Sequence, residues 1–270
     1  VLYAGETDPE KDAWLADAAG KYRNVVTACA AEFGSEFHIQ ENGKTSWNDF
    51  AVTAFDEPYP ELEEGTAQGH INAMLDADGI LRHSLWSVTP PDNTEVPSLA
   101  AVTAAKYLAY QSGTEEQTAD LDMVKRYLME PPTDARGFWY LPFTGLPGDY
   151  SESISVSDIL SGAVPADYFA DRIVLIGPYA AGLQDSYPTA IDHAQPMYGV
   201  EYQANVIETL LQENYKKEAA DSWQYLALFL VTGAFGLWIG KRKMVPATLG
   251  WLVVGGGWML LARLAYGHGL

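Results

Sequence analysis

Two uncharged runs near the C-terminus limit what this chain can become. WQYLALFLVTGAFGLWIG fills residues 223–240 and MVPATLGWLVVGGGWMLLA fills residues 244–262, with Lys241, Arg242 and Lys243 between them. About 20 apolar residues in a helix cross a bilayer. A helix buried in a soluble core normally keeps one polar stripe, whereas Gln224 is the only strongly polar side chain of the first run. The pattern predicts two membrane-spanning helices, at 223–240 and 244–262.

Charge divides the chain at the same place. All 36 Asp and Glu residues fall within residues 1–222, while the last 48 residues carry no acid and four of the 16 Lys and Arg. Short loops rich in Lys and Arg remain on the cytoplasmic side. The chain therefore reads as a multi-pass protein of the cell membrane, with residues 1–222 extracytoplasmic and Lys241, Arg242 and Lys243 cytoplasmic. Trp223 and Trp238 sit where the two membrane interfaces would fall. The sequence opens on Val1-Leu-Tyr without an export signal, so an upstream signal is expected, and a cytoplasmic output would need a third helix.

So acidic a domain, 222 residues long, is large enough to bury a core and unsuited to a broad nucleic-acid or anionic-lipid interface. No nucleic-acid partner is expected. Cys29 is the single cysteine, which excludes an internal disulfide and a multi-cysteine metal site; within NVVTACAA it reads as a small buried apolar side chain.

The periodicities alternate between helix and strand. Residues 8–21 predict a helix with Trp14, Leu15, Ala18 and Ala19 on one side, and 24–30 a buried strand. Residues 50–65, rich in acid and Pro, read as a loop with a short helix near 61–64. Two strand-like runs, 70–75 and 80–88, flank DADG, a hairpin turn in which Gly79 takes positive φ. Ser98 caps a helix over 99–111 that stops at Gly113. A short helix over 120–129, a strand over 138–143 and a short helix after the capping-box spacing at Ser155, ended by Gly162, follow. RIVLIG, residues 172–177, is the clearest strand in the chain. A helix over 200–212 then presents Val200, Ala204, Ile207 and Leu211 along one face. The fold class is α/β, a layered domain in which ligands bind beyond the carboxyl ends of the strands; residues 178–198 occupy that position.

No catalytic signature appears. Gly-x-Ser-x-Gly, His-Glu-x-x-His and Gly-x-x-x-x-Gly-Lys are missing, and His38, His70, His83, His193 and His268 are scattered. No cofactor, no metal and no catalytic residue is assigned to this segment. Asp76 and Asp78 open like a calcium loop, but Ser87 stands where the twelfth-position Glu belongs, so a tight turn explains them better. Arg82 is set to pair with a nearby carboxylate or with a ligand.

Four blocks, GHINAMLDADGILRHSLW, VPSLAAVTAAKYL, ISVSDILSGAVPADYFADRIVLIGPYAAGLQDSYPTA and MYGVEYQANVIETLL, followed by apolar helices, resemble the second type of CHASE domain. In order and spacing the resemblance covers residues 1–262. It implies an extracellular sensory module of a bacterial membrane receptor, held between an N-terminal membrane helix and three further ones, ahead of a cytoplasmic class III nucleotide cyclase, kinase or diguanylate cyclase. It also implies that the first strand and helix of the domain precede Val1.

Within the block after RIVLIG, Gly182, Asp185, Tyr187 and Pro188 match the family's glycine, aspartate and proline pattern. Asp185 and Tyr187 are thus candidate signal-binding residues, with Asp76, Asp78 and Arg82; the plainer alternative has Asp185 capping loop amides. Asn205 is expected to bond a loop backbone. The signal, a small molecule or a protein, is not named by the sequence. A homodimer is implied by the output enzymes of such receptors, and glycines 233, 236, 240, 250, 255, 256 and 257 suit close helix packing. A membrane-anchored structural or adhesion module without switching, or an exported enzyme, are the competing readings.

Overall fold

Helix α1 (Pro9–Tyr22) begins where the sequence places it. The Asp8 side chain accepts from the Lys11 amide and Pro9 takes the first turn, where a missing N–H removes no intrahelical bond. The computed structural model describes residues 1–39, 44–114, 116, 119–150, 154–180, 182–183, 185–217, 219–240 and 243–267. Of the predicted face of α1, Ala19 is buried, whereas Trp14 and Leu15 are exposed. Ala16 and Ala19 pack with Tyr59 and Leu62, at and within α2 (Pro60–Gly65), while Trp14 is 66% exposed. Small residues win here because α1 and α2 touch backbone to backbone: a Cβ on Gly20 would lie 3.3 Å from Gly65 Cα.

Strand β1 (Val26–Ile39) pairs antiparallel with β2 (Thr45–Asp56) and parallel with β3 (Ala67–His70), in the order β2-β1-β3. Residues 50–56, expected in a loop, are therefore strand. Val52, Thr53 and Phe55 suit a strand once β1 is available as a partner, and Phe50 stacks on Phe33 of β1 at 4.3 Å. Only residues 57–59 separate β2 from α2. Leu2 adds a parallel bridge to Ala28.

The DADG turn forms, with Gly79 at φ 78° and its amide donating to Asp76 O at 2.8 Å. Its flanking runs do not make one hairpin. Instead β4 (His83–Leu85) pairs antiparallel with β7 (Phe138–Tyr140), and β5 (Ser87–Val88) with β6 (Val96–Pro97). Leu81 is drawn away to residues far along the chain: its amide donates to Pro188 O at 2.8 Å and its carbonyl accepts from Ala190 at 3.2 Å.

Helix α3 (Leu99–Gln111) has the predicted limits, with Ser98 Oγ accepting from Ala101 at 3.2 Å and Gly113 at φ 75°. Ala100, Ala101, Ala104 and Ala105 are fully buried, so this helix packs closely on β1, β3 and its helical neighbours. One of these is α4 (Leu121–Tyr127), capped by Asp120. Helix α5 (Val156–Leu160) is capped by Ser155, and a 3-10 turn covers Ala166–Phe169.

RIVLIG is not a paired strand. Residues 173–179 carry no regular hydrogen-bonded structure, because no partner strand lies alongside among the described residues. Beyond it β8 (Ser186–Tyr187) pairs antiparallel with β9 (Met197–Tyr198), leading into α6 (Gly199–Gln212). The buried side of α6 carries Tyr202, Asn205, Val206, Thr209 and Leu210. Of the predicted face, only Ile207 belongs to it.

The chain separates into two compact units, Val1–Asn214 and Tyr215–Leu270. The second contains α7 (Asp221–Ile239) and α8 (Met244–Gly267), both long and apolar enough to cross a membrane. Helix α8 continues through Arg263, beyond its predicted end. Trp238 of α7 lies on Gly250 of α8, and Lys216 Nζ donates to Tyr266 O at 3.1 Å, so the two helices form an antiparallel pair. Lys241 and Arg242 lie outside the described residues, as does His268. The chain is thus mixed α/β followed by two apolar helices.

Candidate functional site

A cavity of about 1260 Å³ opens within the first unit. Val1, Tyr3, residues 26–28 of β1 and residues 173–177 are among its lining. Helices α1, α3 and α6 contribute Leu15, Leu99 and Tyr202 to its lining, and Asp185 and Tyr187 reach it from the rim.

Asp185 is fixed by the start of α6. Its carbonyl accepts from the Gly199 amide at 3.0 Å, and its carboxylate lies so close to Gly199 that a Cβ there would overlap it. Only glycine leaves that space at the first position of the helix. Tyr187 is partly buried beside it; burial first, then the charge and hydrogen bond of Asp185, push the Tyr187 phenol above its usual value. The Tyr187 ring meets the Tyr202 ring edge-on at 6.5 Å. The rim therefore offers a carboxylate and a protonated phenol next to apolar walls. Such a pair can accept and donate hydrogen bonds beside apolar side chains.

Asp76, Asp78 and Arg82 are held together, away from the cavity lining. Arg82 Nη1 donates to Asp76 Oδ2 at 2.6 Å and to Asp78 Oδ1 at 2.9 Å, and Nη2 to Asp78 Oδ2 at 2.7 Å. His83 Nδ1 stands 3.1 Å from Asp76 Oδ1. The guanidinium fork holds the Asp78 carboxyl down to about 2. These donors and acceptors are already matched within the turn, which makes the cluster an internal ion pair. The two candidate groups do meet through backbone, since Leu81, beside Arg82, pairs with Pro188 and Ala190 on either side of Thr189.

Two buried residues of α6 carry a role that periodicity does not suggest. Asn205 Oδ1 accepts from the amides of Thr144 and Gly145 at 3.1 and 2.9 Å, the loop-backbone role predicted for it. Glu201 is 2% exposed; it accepts from the Gly148 amide at 2.8 Å, the Tyr198 amide at 3.1 Å and the Tyr179 hydroxyl at 3.3 Å. Glu201 is not among the candidate residues singled out from the sequence. Its signal was a Glu three residues after the helix-capping position, reaching back to the cap amide. Farther along, Glu208 accepts from Tyr150 at 2.7 Å and Thr144 at 2.8 Å, and burial together with Glu208 raises the Tyr150 phenol well above its usual range. Loop 144–150 is thereby pinned to one side of α6.

The family model described as the CHASE2 domain matches residues 2–240. A sheet-and-helix domain with a polar rim above an apolar cleft, followed by membrane-length helices, is the kind of module that receives a signal at a membrane. The chain belongs to the CHASE2 domain family, a family of sensory domains. No curated protein matches it, and no solved structure does.

Proposed function

We propose that residues 1–222 form the extracytoplasmic input of a membrane receptor that controls a cytoplasmic enzyme, a class III nucleotide cyclase or a kinase. One observation carries this reading: a sensory-family domain runs directly into two apolar helices of membrane length. The signal, a small molecule or a protein segment, engages the rim at Asp185 and Tyr187. Helix α6 starts against Asp185, and only residues 213–220 separate its end from α7. A signal that favours one arrangement of the rim shifts α6 and passes that shift toward the membrane. Its effect is limited by its difference in affinity for the two arrangements. The receptor works as a homodimer.

Two-sided labelling in cells tests this. Lys243→Cys reacts with an impermeant maleimide only after the membrane is opened, and Tyr22→Cys, at a 70% exposed position, reacts from outside. Cys29 stays silent, being buried with its thiol pushed up to about 12 by burial and then by Glu57, and the thiolate is the reactive form. Labelling of both introduced cysteines from the same side would refute the receptor topology.

A further inference from the structure

The cavity reverses the charge balance of the domain around it. A third of the Lys and Arg side chains within residues 1–222 line it, namely Lys21, Arg23, Lys106 and Arg172, against Glu116, Asp171 and Asp185 from 36 acids. Those acids are already engaged. Glu116 Oε1 accepts from Arg126 Nη1 at 2.7 Å and from the Tyr127 hydroxyl at 2.9 Å. Asp171 Oδ1 accepts from the Tyr110 hydroxyl at 2.8 Å, and Asp185 is held against Gly199.

Lys106 has no such match. It leaves α3 half-buried and its Nζ donates to the backbone carbonyl of Glu116 at 3.0 Å, and among the described residues it makes no ion pair with a carboxylate. Burial lowers its ammonium below the usual value, and the charge of Glu116 offsets that only in part. A partly desolvated cation is stabilised by an opposite charge in contact with it; here the contact is a neutral carbonyl. The lining otherwise holds hydrocarbon side chains such as Leu15, Val26, Leu99, Ile173 and Leu175, which favour an apolar body over water.

We propose that the cavity binds an amphipathic monocarboxylate, one carboxylate joined to an apolar body, with Lys106 Nζ as its charged contact. An ammonium donating to a carboxylate makes a stronger hydrogen bond than one donating to a neutral carbonyl, and the apolar body replaces water along the hydrocarbon lining. A second negative charge is opposed by the three acids of the same lining. Asp185 and Tyr187 also line the cavity, so the molecule that Lys106 holds is the one that the rim meets. The inference rests on the sensing reading for its meaning as a signal, and it names the chemical class of that signal.

Equilibrium binding of phenylbutyrate and of phenylbutanol to the protein in phosphatidylcholine nanodiscs tests it. The acid should bind saturably and more tightly than the alcohol. Lys106→Met, which keeps an apolar stem, should weaken the acid at least about 10-fold and change the alcohol by less than about twofold. No saturable binding of the acid, equal affinities for acid and alcohol, or an unchanged affinity for the acid in Lys106→Met would overturn the proposal. Should Lys106→Met fail to fold, benzoylphenylacetate photolysed on the parent protein decides: adducts within residues 99–107 or 172–177 support the proposal, and adducts elsewhere or none refute it. Two-sided labelling reports on topology alone, so a failure there and a failure here are separate results.

Discussion

The carboxylate of Asp185 occupies the space in which a side chain on Gly199 would stand, and the Gly199 amide donates to the Asp185 carbonyl at 3.0 Å. The candidate rim and the first residue of α6 are therefore one packed unit, in which neither can move alone.

Gly199→Ala should destabilise the chain by about 1–3 kcal/mol, the usual range for overpacking, because the new Cβ would meet Asp185 Oδ2 at 2.6 Å. In an Asp185→Ala background the same change should do much less, since the obstructing carboxylate is gone. A double-mutant cycle read by urea midpoints measures this coupling. Additive effects would place Asp185 elsewhere in solution.

The two polar clusters should differ in strength. Asn205→Ala leaves the Thr144 and Gly145 amides without their acceptor; each unsatisfied buried donor costs about 1–3 kcal/mol, and a total near 2–3 kcal/mol is expected at unchanged m-value. Arg82→Ala breaks an ion pair whose Arg side chain is 32% exposed, so the loss should be clearly the smaller of the two and shrink in salt. Equal losses would mean that the turn carries more of the fold than its exposure implies.

His70 gives the first unit a pH dependence. Among the described residues neither buried ring nitrogen has a hydrogen-bond partner, and burial pushes the imidazole down from 6.5 to about 3. Below about pH 6.5 the unfolded chain takes up a proton that the folded chain refuses. This contribution to stability is complete above that pH and is lost as pH falls toward 3, at up to about 1.4 kcal/mol per pH unit. Urea midpoints between pH 7 and 5 should fall in the parent protein and fall less in His70→Leu, which also removes two unmatched nitrogens. Parallel profiles would assign the acid sensitivity to other groups.

Local rules read well in this sequence where the residues that decide them are close together. Asp8, Ser98, Asp120 and Ser155 cap the helices that follow them, and Gly79 and Gly113 turn the chain with positive φ. The membrane-length helices were legible from composition alone. What depends on distant partners was not. RIVLIG has the pattern of a strand, yet a strand exists only when another backbone lies beside it. Residues 50–56 look like part of a loop until β1 is there to pair with them. On α6 the apolar period pointed to Val200, Ala204 and Leu211, whereas Glu201 and Asn205 are buried because loop 144–148 supplies their donors. Asp185 and Tyr187 were singled out by the family pattern, and no local signal shows that they meet at the start of α6.

The helical pair of the second unit offers a comparison between two glycines. Trp238 lies against Gly250, so that a Cβ on Gly250 would overlap the indole and stand 3.5 Å from the Phe235 ring, whereas a Cβ on Gly256 would meet nothing within 4 Å. In hydrocarbon, helices associate through close packing at small residues. Gly250→Leu should therefore push α7 and α8 apart and weaken a disulfide engineered between them, while Gly256→Leu leaves that cross-link intact. If Gly256 serves a contact between two copies, its replacement should lower the dimer fraction in detergent without touching the pair within one chain. A Gly256→Leu protein that loses the intrachain cross-link, or a Gly250→Leu protein that keeps it, would show that the helices meet along a different line.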